Sequence, residues 1–399
     1  MDEHTTKPID IYGHMRNLNY RCKSTMFTLN GSEWYTKRKA AAHAFASKYV
    51  KRMTNMAIAN TDDWIASATT AATTNDAKAN DSSKDGRSKD SGAFEFDVSK
   101  TMLDIVLSAI TETAFEYTMS PKEKEIFGHE LELALIEFAV KAPTQPHRVL
   151  FGKLIRDRRR AVTATKNIRE LMLHIMNEYN AKKERGESSN GSLIQLIMDA
   201  NSEFPNEDEK IAQLLELLVA GHDTTAFSVS WILLSLARNV TEQTKLRNAL
   251  KELSPDEWRS CTQLKHVVKE GMRLYPVASA GSIRVTGRDF TTHRNELLPM
   301  GSICFIPFLL LFRNKDIFTD PDEFIPSRWE DPSREMLDAY NPFSLGKQNC
   351  VGQSLAQAET YAIVARIVSE FELTVKDEGS IDFFLTLKPV GAILQARKI

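Results

Sequence analysis

The 399-residue chain has little charge imbalance, few cysteines and no long apolar run. Its net charge of −2 gives no electrostatic reason to expect a nucleic-acid partner. The 4 cysteines are irregularly spaced, which indicates neither a disulfide framework nor a zinc site and favours a reducing compartment. No stretch of roughly eighteen apolar residues occurs and the N-terminal region is polar, so the sequence predicts neither a transmembrane helix nor a signal peptide.

What the chain does contain is apolar residues at helical spacing over most of its length. Segments with this three- and four-residue periodicity are 98–117, 120–141, 150–185, 192–201 and 210–239. The last of these would span roughly 45 Å as one helix. Strand patterns are fewer and lie late in the chain, at 283–286, 303–306 and 390–396. The sequence therefore predicts a mainly α fold with a minor β region.

The segment 66–93 differs in composition from the rest. It consists almost entirely of Ala, Ser, Thr, Asn, Asp, Lys and Gly. A segment of this kind buries too little apolar surface to offset the entropy of ordering. We expect a disordered surface insertion within a single domain that covers residues 1–399.

One cysteine stands out by its surroundings. Cys350 lies between Gly346 and Gly352, directly before a predicted helix. Glycines allow a close approach of backbone to a flat cofactor, and amides at a helix N-terminus favour a thiolate over a thiol. Two interpretations follow: a thiolate that ligates a metal, or a small buried core cysteine.

A second unusual segment, residues 220–225, lies inside the longest predicted helix and reads Ala-Gly-His-Asp-Thr-Thr. Glycine in a helix interior costs about 1 kcal/mol relative to Ala. Threonine tends to bond back to the helix carbonyls and bend the helix. The segment is either a functional break or a kink that lets another helix pack closely.

The sequence around the cysteine resembles the haem-binding loop of the cytochromes P-450, F-x-x-G-x-R-x-C-x-G. Phe343, Gly346, Cys350 and Gly352 match this pattern, whereas Gln348 stands where the family usually has arginine. The resemblance implies the cytochrome P-450 fold, with a long central helix over a haem b (iron protoporphyrin IX) held by the cysteine loop. It also implies that the thiolate of Cys350 is the axial ligand of the iron.

Residues 220–225 resemble the family's [AG]-G-x-[DE]-T-[ST] segment. By this resemblance Ala220 and Gly221 would leave room over the iron for dioxygen, and Asp223 and Thr224 would relay protons to it. His222 occupies the variable position and is interpreted as a neighbour rather than a ligand.

Two further segments resemble the family's structural motifs. Glu270 and Arg273 match its E-x-x-R helix, and Arg328 matches its P-x-R-W segment. The resemblance implies a buried charge triad that fixes the scaffold of the cysteine loop. Taken alone, an E-x-x-R sequence is more simply an ordinary surface ion pair.

Trp34 and Arg38 resemble the W-x-x-x-R helix that holds the haem propionates, and Arg284 matches a further propionate-binding arginine. Gln348 would still donate hydrogen bonds there but brings no charge. The alternative interpretation of this pair is an amphipathic helix with one aromatic residue, which is common. By family position, the residues expected to line a substrate pocket are Leu217, Val277, Ala278, Phe384 and Leu385.

The function that the resemblance implies is that of a monooxygenase acting on a lipophilic small molecule. It would use O2 and electrons from NADPH, delivered by a reductase or ferredoxin. The alternatives are a haem-thiolate isomerase or dehydratase, or an inactive haem-binding remnant. Trp34 lies unusually early, so we expect an N-terminally truncated, eukaryotic member, located at the endoplasmic reticulum if the full-length form carries an anchor and otherwise cytoplasmic.

Overall fold

The computed structural model describes residues 5–8, 12, 25–80, 93–188, 191–292, 294–383 and 385–399. Helices α1 to α14 span, in order, Gly31–Ala42, Ser47–Asn80, Val98–Ala114, Pro121–Leu135, Ala142–Thr144, Pro146–Leu150, Arg156–Glu184, Leu193–Asp199, Glu207–Arg238, Val240–Leu250, Thr262–Leu274, Phe308–Leu311, Arg334–Ala339 and Gln353–Glu370. Strands β1 to β10 span Thr5–Thr6, Ala93–Asp97, Ser282–Thr286, Phe290–Thr291, Leu297–Leu298, Ile303–Ile306, Phe371–Asp377, Ser380–Phe383, Leu387–Val390 and Ile393–Lys398. The predicted mainly α fold with a minor β region is confirmed.

The strands form small antiparallel sheets at the periphery of the helices. Their orders are β1-β3-β6, β2-β10-β7, β4-β5 and β8-β9. The predicted strand at 390–396 is wrong in one respect, because the chain turns at Gly391, which has a φ of +70°. That turn separates β9 from β10, and β10 then pairs with both β2 and β7.

The expectation of disorder is wrong for residues 66–80, because they continue helix α2. Three threonines in this part, Thr69, Thr70 and Thr73, donate their hydroxyls to carbonyls three or four residues earlier, which satisfies them within the helix. Ala72 is buried, so alanine supplies both helix propensity and contact. Ala93 begins strand β2, and the remainder of the segment lies outside the described residues.

Helix α9 is the central element and begins with a well-formed cap. The side chain of Asn206 accepts a hydrogen bond from the backbone N–H of Glu209, and acidic residues occupy the first turn, where they complement the helix dipole. Its most apolar window is long and hydrophobic enough to cross a membrane, yet 72% of that window is buried inside the protein. The apolar character of α9 therefore matches a core position.

Three apolar clusters form the core of the described part of the chain, and α9 belongs to the two largest. Residues 211–218 of α9 pack in one cluster with α1, α3, α4, α7 and α14. Residues 226–237 pack in the other cluster with α3, α10, α11, α14 and strands β7 and β10. The segment 220–225 thus lies at the junction between the two clusters, where α9 has no continuous apolar face to bury.

Candidate active site

The loop before α14 is held in one conformation by its own backbone. The N–H of Cys350 donates to the carbonyl oxygen of Phe343 at 2.9 Å, and the N–H of Asn349 donates to that of Gly346 at 3.0 Å. Gly346 has a φ of +80°, which glycine adopts without steric cost, whereas Ser344 adopts a φ of +60° at a penalty. These bonds present the cysteine side chain at the end of the loop, directly before α14.

The thiol of Cys350 is accessible to solvent yet has protein on most sides, so it faces a cleft. Burial raises the pKa of the Cys350 thiol, while the backbone N–H of Gly352 and the positive charge of Arg38 lower it. The net direction is upward. The backbone N–H at the start of the helix, expected from the sequence, is present. In the protein alone, however, it lowers the pKa of the thiol less than desolvation raises it. A bound metal ion would therefore be needed to favour the thiolate.

Helix α1 contacts the loop through Arg38. Its two terminal nitrogens donate to the backbone oxygen and the side-chain Oδ1 of Asn349, at 2.8 and 2.6 Å. The guanidinium also lies 5.6 Å from the ring centroid of Trp34, which is buried. Burial lowers the pKa of Arg38. The structure thus brings Trp34 and Arg38 to the residue that precedes Cys350.

Arg284 projects from β3 and is buried. Its Nη1 donates to the carbonyl oxygen of Ile283 at 2.8 Å and lies 3.4 Å from the hydroxyl of Tyr12. Within the described residues, neither Arg284 nor Arg38 forms an ion pair with a carboxylate. Arg284 is buried and Arg38 is partly buried. A buried guanidinium group without a counter-ion is costly, which favours an anionic ligand at this position.

The segment 220–225 is partly exposed and partly packed against another helix. Ala220 is exposed and Thr224 is partly exposed, although the flanking turns of α9 are buried, so this strip lines a cleft. The hydroxyl of Thr224 donates to the carbonyl oxygen of Ala220 at 2.7 Å. A Cβ on Gly221 would lie 2.6 Å from the Cδ1 of Ile110, which favours the helix-packing interpretation for that residue.

Asp223 has a neighbour that sequence reasoning set aside. The Nδ1 of His222 lies 2.9 Å from a carboxylate oxygen of Asp223. The Nε2 of the same ring lies 3.2 Å from the carbonyl oxygen of Leu103, to which it can donate. His222 is buried, and its ring lies 6.0 Å from that of Phe127. The adjacency of His and Asp was visible in the sequence, but α9 alone does not turn the two side chains toward each other.

Glu270, Arg273 and Arg328 meet in the interior. Arg273 binds both carboxylate oxygens of Glu270 at 2.9 Å, and the Nε of Arg328 adds a third contact at 2.9 Å. Trp329, which the sequence did not assign to this group, donates its indole N–H to Glu270 at 3.0 Å. Glu270 and Arg273 are fully buried, and the remaining guanidinium nitrogens donate to backbone carbonyls. The surface ion-pair alternative is therefore wrong.

Aromatic contacts connect this buried group to the cysteine loop. The ring of Trp329 lies 4.7 Å from that of Tyr340, which directly precedes the loop. Phe343 packs against the core cluster that includes Tyr340 at its edge, and its carbonyl oxygen accepts the bond from Cys350 at 2.9 Å. Trp329 and Tyr340 thus extend the buried group toward the start of the cysteine loop.

The residues expected to line a substrate pocket do not all lie together. Leu217 and Leu385 belong to the same apolar cluster as Val219 and Val351, so this cluster joins α9 to the cysteine loop. Val277 packs against the other cluster, with its carbonyl oxygen bonded to the N–H of Leu387 at 2.8 Å. Ala278 is partly exposed beside it. Phe384 lies outside the described residues.

The chain is similar to known proteins over most of its length. The family model described as Cytochrome P450 matches residues 5–398. The chain is 30% identical over 239 residues to "Cytochrome P450 4F5" of Rattus norvegicus, covering 56% of this chain and 44% of that protein. It is 27% identical over 245 residues to "Probable cytochrome P450 508C1" of Dictyostelium discoideum, covering 56% of this chain and 49% of that protein. It is 32% identical over 202 residues to "Taurochenodeoxycholic 6 alpha-hydroxylase" of Sus scrofa, covering 49% of this chain and 40% of that protein.

The matched region spans about half or less of each of these relatives. Among solved structures, a crystal structure of a cytochrome P450 (CYP102L1) superimposes with a TM-score of 0.78 over 100% of this chain and 86% of the other, at 20% sequence identity. At that identity the superposition establishes the fold. The family match over nearly the whole chain establishes more: the chain belongs to the cytochrome P450 family.

Proposed function

We propose that this protein is a haem-thiolate monooxygenase that inserts one oxygen atom from O2 into a lipophilic small molecule, with Cys350 as the residue whose thiolate would hold the haem iron. The observation that carries the proposal is the position of that thiol. It is accessible from a cleft at the start of α14, in a loop that matches the family pattern. Haem bound through a cysteine thiolate supplies the activation of dioxygen.

The residues present fit a haem b. The thiol of Cys350 is free and accessible, and the N–H of Gly352 can donate to its sulfur. Arg38 and Arg284 are cations without an ion-pair partner among the described residues, and Trp34 lies beside Arg38. A flat apolar cofactor with two carboxylates would fit these residues. Its carboxylates would supply negative charge to Arg38 and Arg284, and its ring would occupy the cleft.

On the α9 side, Asp223 and Thr224 would carry the protons that the reaction consumes. The side chain of Asp223 is 16% exposed and can exchange protons with solvent. The hydroxyl of Thr224 can rotate from its bond to Ala220, at 2.7 Å, to donate into the cleft. The small side chain of Ala220 leaves this part of the helix surface open. These roles follow the family pattern residue by residue.

Glu270, Arg273 and Arg328 would act on structure rather than on chemistry. All three lie in the buried network described above, and Trp329 and Tyr340 extend that network toward the cysteine loop. We assign them to positioning of the loop. A defect there should change how firmly the cofactor is held before it changes the reaction.

The substrate class and partners belong to the same proposal. The pig relative's name describes a hydroxylation, the type of reaction proposed here. Leu217 and Leu385, in the cluster beside the cysteine loop, favour a lipophilic substrate. Electrons would come from NADPH through a reductase or ferredoxin. A location at the endoplasmic reticulum membrane belongs to the same proposal.

The test is the absorption spectrum of the purified chain reconstituted with haem. We expect the ferrous–CO complex to show the red-shifted Soret band of thiolate ligation, and we expect the Cys350→Ala variant to lose it. The matched control is Cys304→Ala, which removes another free cysteine, on strand β6. Retention of the band in Cys350→Ala would refute the ligand assignment. A wild-type chain without the band would favour the inactive remnant.

A second measurement separates the monooxygenase from an isomerase or dehydratase. A monooxygenase consumes dioxygen and reductant in proportion to product, whereas the alternatives rearrange or dehydrate a peroxide without them. The presence of both Asp223 and Thr224 on α9 favours the first. Product formation from a peroxide in the absence of dioxygen and reductant, without oxygen insertion, would favour the second.

A further inference from the structure

A buried lysine lies next to the cysteine loop. Strand β1 pairs with β3 so that Thr6 lies opposite Val285, and the next residue, Lys7, therefore comes opposite Arg284. Lys7 is 8% exposed and Arg284 9% exposed. Two buried cations at opposing positions of neighbouring strands repel each other unless an anion lies between them.

The position of Lys7 is fixed by an asparagine. Its backbone N–H donates to the Oδ1 of Asn30 at 3.0 Å, and its carbonyl oxygen accepts from the Nδ2 of Asn30 at 2.9 Å. Its ammonium donates to the carbonyl oxygens of Met26 and Phe27, at 2.8 and 2.9 Å. These two bonds leave the third ammonium hydrogen for another acceptor.

The same asparagine orients Gln348 in the cysteine loop. The Nε2 of Gln348 lies 3.4 Å from the Oδ1 of Asn30. The other end of the amide, Oε1, is buried without a hydrogen-bond partner. The two hydrogen bonds between Asn30 and the backbone of Lys7 determine which end of the Asn30 amide is the oxygen. Since that oxygen faces Gln348, the end of the Gln348 amide that points toward it must be the nitrogen. Gln348 therefore directs its amide nitrogen to Asn30 and supplies no positive charge.

The local charge balance is positive. The pKa of Lys7 is lowered to about 8, chiefly by burial; the negative charge of Glu216 opposes this effect, and the positive charges of Arg284 and Arg38 add to it. Burial raises the pKa of Glu216, while its hydrogen bonds and the positive charge of Lys7 lower it. Lys7, Arg38 and Arg284 form no ion pair within the described residues. Three cations around one cleft require an anionic ligand with more than one charge.

We propose that Lys7, held in place by Asn30, binds a carboxylate of the cofactor and supplies the positive charge that Gln348 does not. This inference rests on the proposed function, since it assumes a haem whose carboxylates lie at Arg38 and Arg284. Lys7 then does for this chain what an arginine at position 348 would do. The two positions should be interchangeable.

The test is the rate at which the holoprotein loses haem to an excess of a haem-scavenging apoprotein. We expect Lys7→Met to lose haem about ten- to hundredfold faster than the wild type, the range for one charge-assisted hydrogen bond. Lys7→Arg should stay near the wild-type rate. The matched control is Lys210→Met, since Lys210 also donates its ammonium to a backbone carbonyl, that of Met198 at 2.7 Å, away from this group.

The decisive comparison repeats Lys7→Met in a Gln348→Arg background. If the two positions supply the same charge, the effect of Lys7→Met should shrink there to about threefold or less, as expected for coupled residues. An equal effect in both backgrounds, or a Lys7→Met rate equal to that of Lys210→Met, would overturn the proposal. A wild-type holoprotein without the thiolate band would instead overturn the proposed function, and this inference with it.

Discussion

Arg38 binds Asn349 through both terminal nitrogens, at 2.8 Å to the backbone oxygen and 2.6 Å to the side-chain Oδ1. The two residues are 311 positions apart in the chain, and Asn349 directly precedes Cys350. A planar guanidinium makes such a two-point contact with both partners aligned, which an ammonium cannot reproduce. Helix α1 therefore restrains the residue next to the thiol, in addition to any contact with the cofactor.

Replacing Arg38 by lysine tests this restraint. Arg38→Lys keeps the charge but cannot hold both oxygens of Asn349, so we expect haem to dissociate several-fold faster, with the thiolate band retained. Asn349→Ala should give a smaller effect in the same direction, because it leaves the backbone oxygen in place. The measurement is haem transfer to a scavenger, with Arg160→Lys, an exposed position, as the control. Unchanged rates in both variants would mean that the Arg38–Asn349 contact does not hold the loop.

The buried carboxylate of Glu270 makes a strong prediction about folding. Glu270→Gln removes one charge from between Arg273 and Arg328 and leaves both guanidinium groups uncompensated in the interior. We expect a loss of about 3–5 kcal/mol in the free energy of unfolding. Urea denaturation of the apoprotein measures it. The control Asp338→Asn breaks an exposed pair with Arg334 and should change stability little. A Glu270→Gln protein as stable as this control would contradict the network's structural role.

A variant of Thr224 can distinguish a role in catalysis from a role in helix stability. We expect Thr224→Ala to consume more dioxygen and reductant per product than the wild type, because the hydroxyl that carries protons into the cleft is gone. The control is Thr244→Ala on α10, whose hydroxyl donates to the carbonyl oxygen of Val240 at 2.9 Å, the same back-bond that Thr224 makes at 2.7 Å.

Both threonine variants lose one back-bond and should therefore differ little in unfolding free energy. Only Thr224→Ala should change the ratio of dioxygen consumed to product formed. Equal coupling ratios in the two variants would remove Thr224 from the proton path.

Glu359 on α14 should make stability depend on pH. Burial raises the pKa of Glu359 from its ordinary 4.5 to about 8, and its Oε1 has no hydrogen-bond partner among the described atoms. The folded state therefore holds this proton more tightly than the unfolded state. Its contribution is fully present below about pH 4.5 and is lost as pH rises through about 8, by an amount on the order of a few kcal/mol.

Glu359→Gln should flatten this dependence, because the amide does not titrate. Unfolding free energies of the apoprotein at pH values between 5 and 8 give the slope, with the exposed Glu125→Gln as the control. The wild type and the control should lose stability as pH rises over this interval, and Glu359→Gln should lose less. Parallel slopes in all three proteins would show that Glu359 is ionised when folded.

Patterns of a few residues predicted much of this protein correctly. Helical periodicity located α3, α9 and the start of α4 to within a few residues, because burial of one face imposes that spacing. It failed where burial was supplied by distant partners: β2 and β7 have short, mixed patterns and are strands because β10 lies between them. Composition failed at residues 66–80, where alanines and back-bonded threonines continue α2.

The candidate site also contains residues that the sequence predicted and residues that it missed. The meeting of Glu270, Arg273 and Arg328 was implied by the resemblance of two short segments to motifs of the cytochromes P-450, and the structure brings the three residues together. Lys7 and Asn30 were missed, because nothing in their local sequence marks them. Their role depends on a strand pairing with β3 and on a contact between residues 30 and 348, which are 318 positions apart.

The sequence by itself determined the family, the identity of the candidate thiolate and the mainly helical architecture, because each depends on local spacing or on a contiguous pattern. Only the tertiary structure decided the charge around the cleft. It placed Lys7 opposite Arg284, turned Gln348 toward Asn30 and gave Arg38 a second partner in Asn349. Electrostatic balance at a site is a sum over residues that are distant in sequence, so it exists only once the chain has folded.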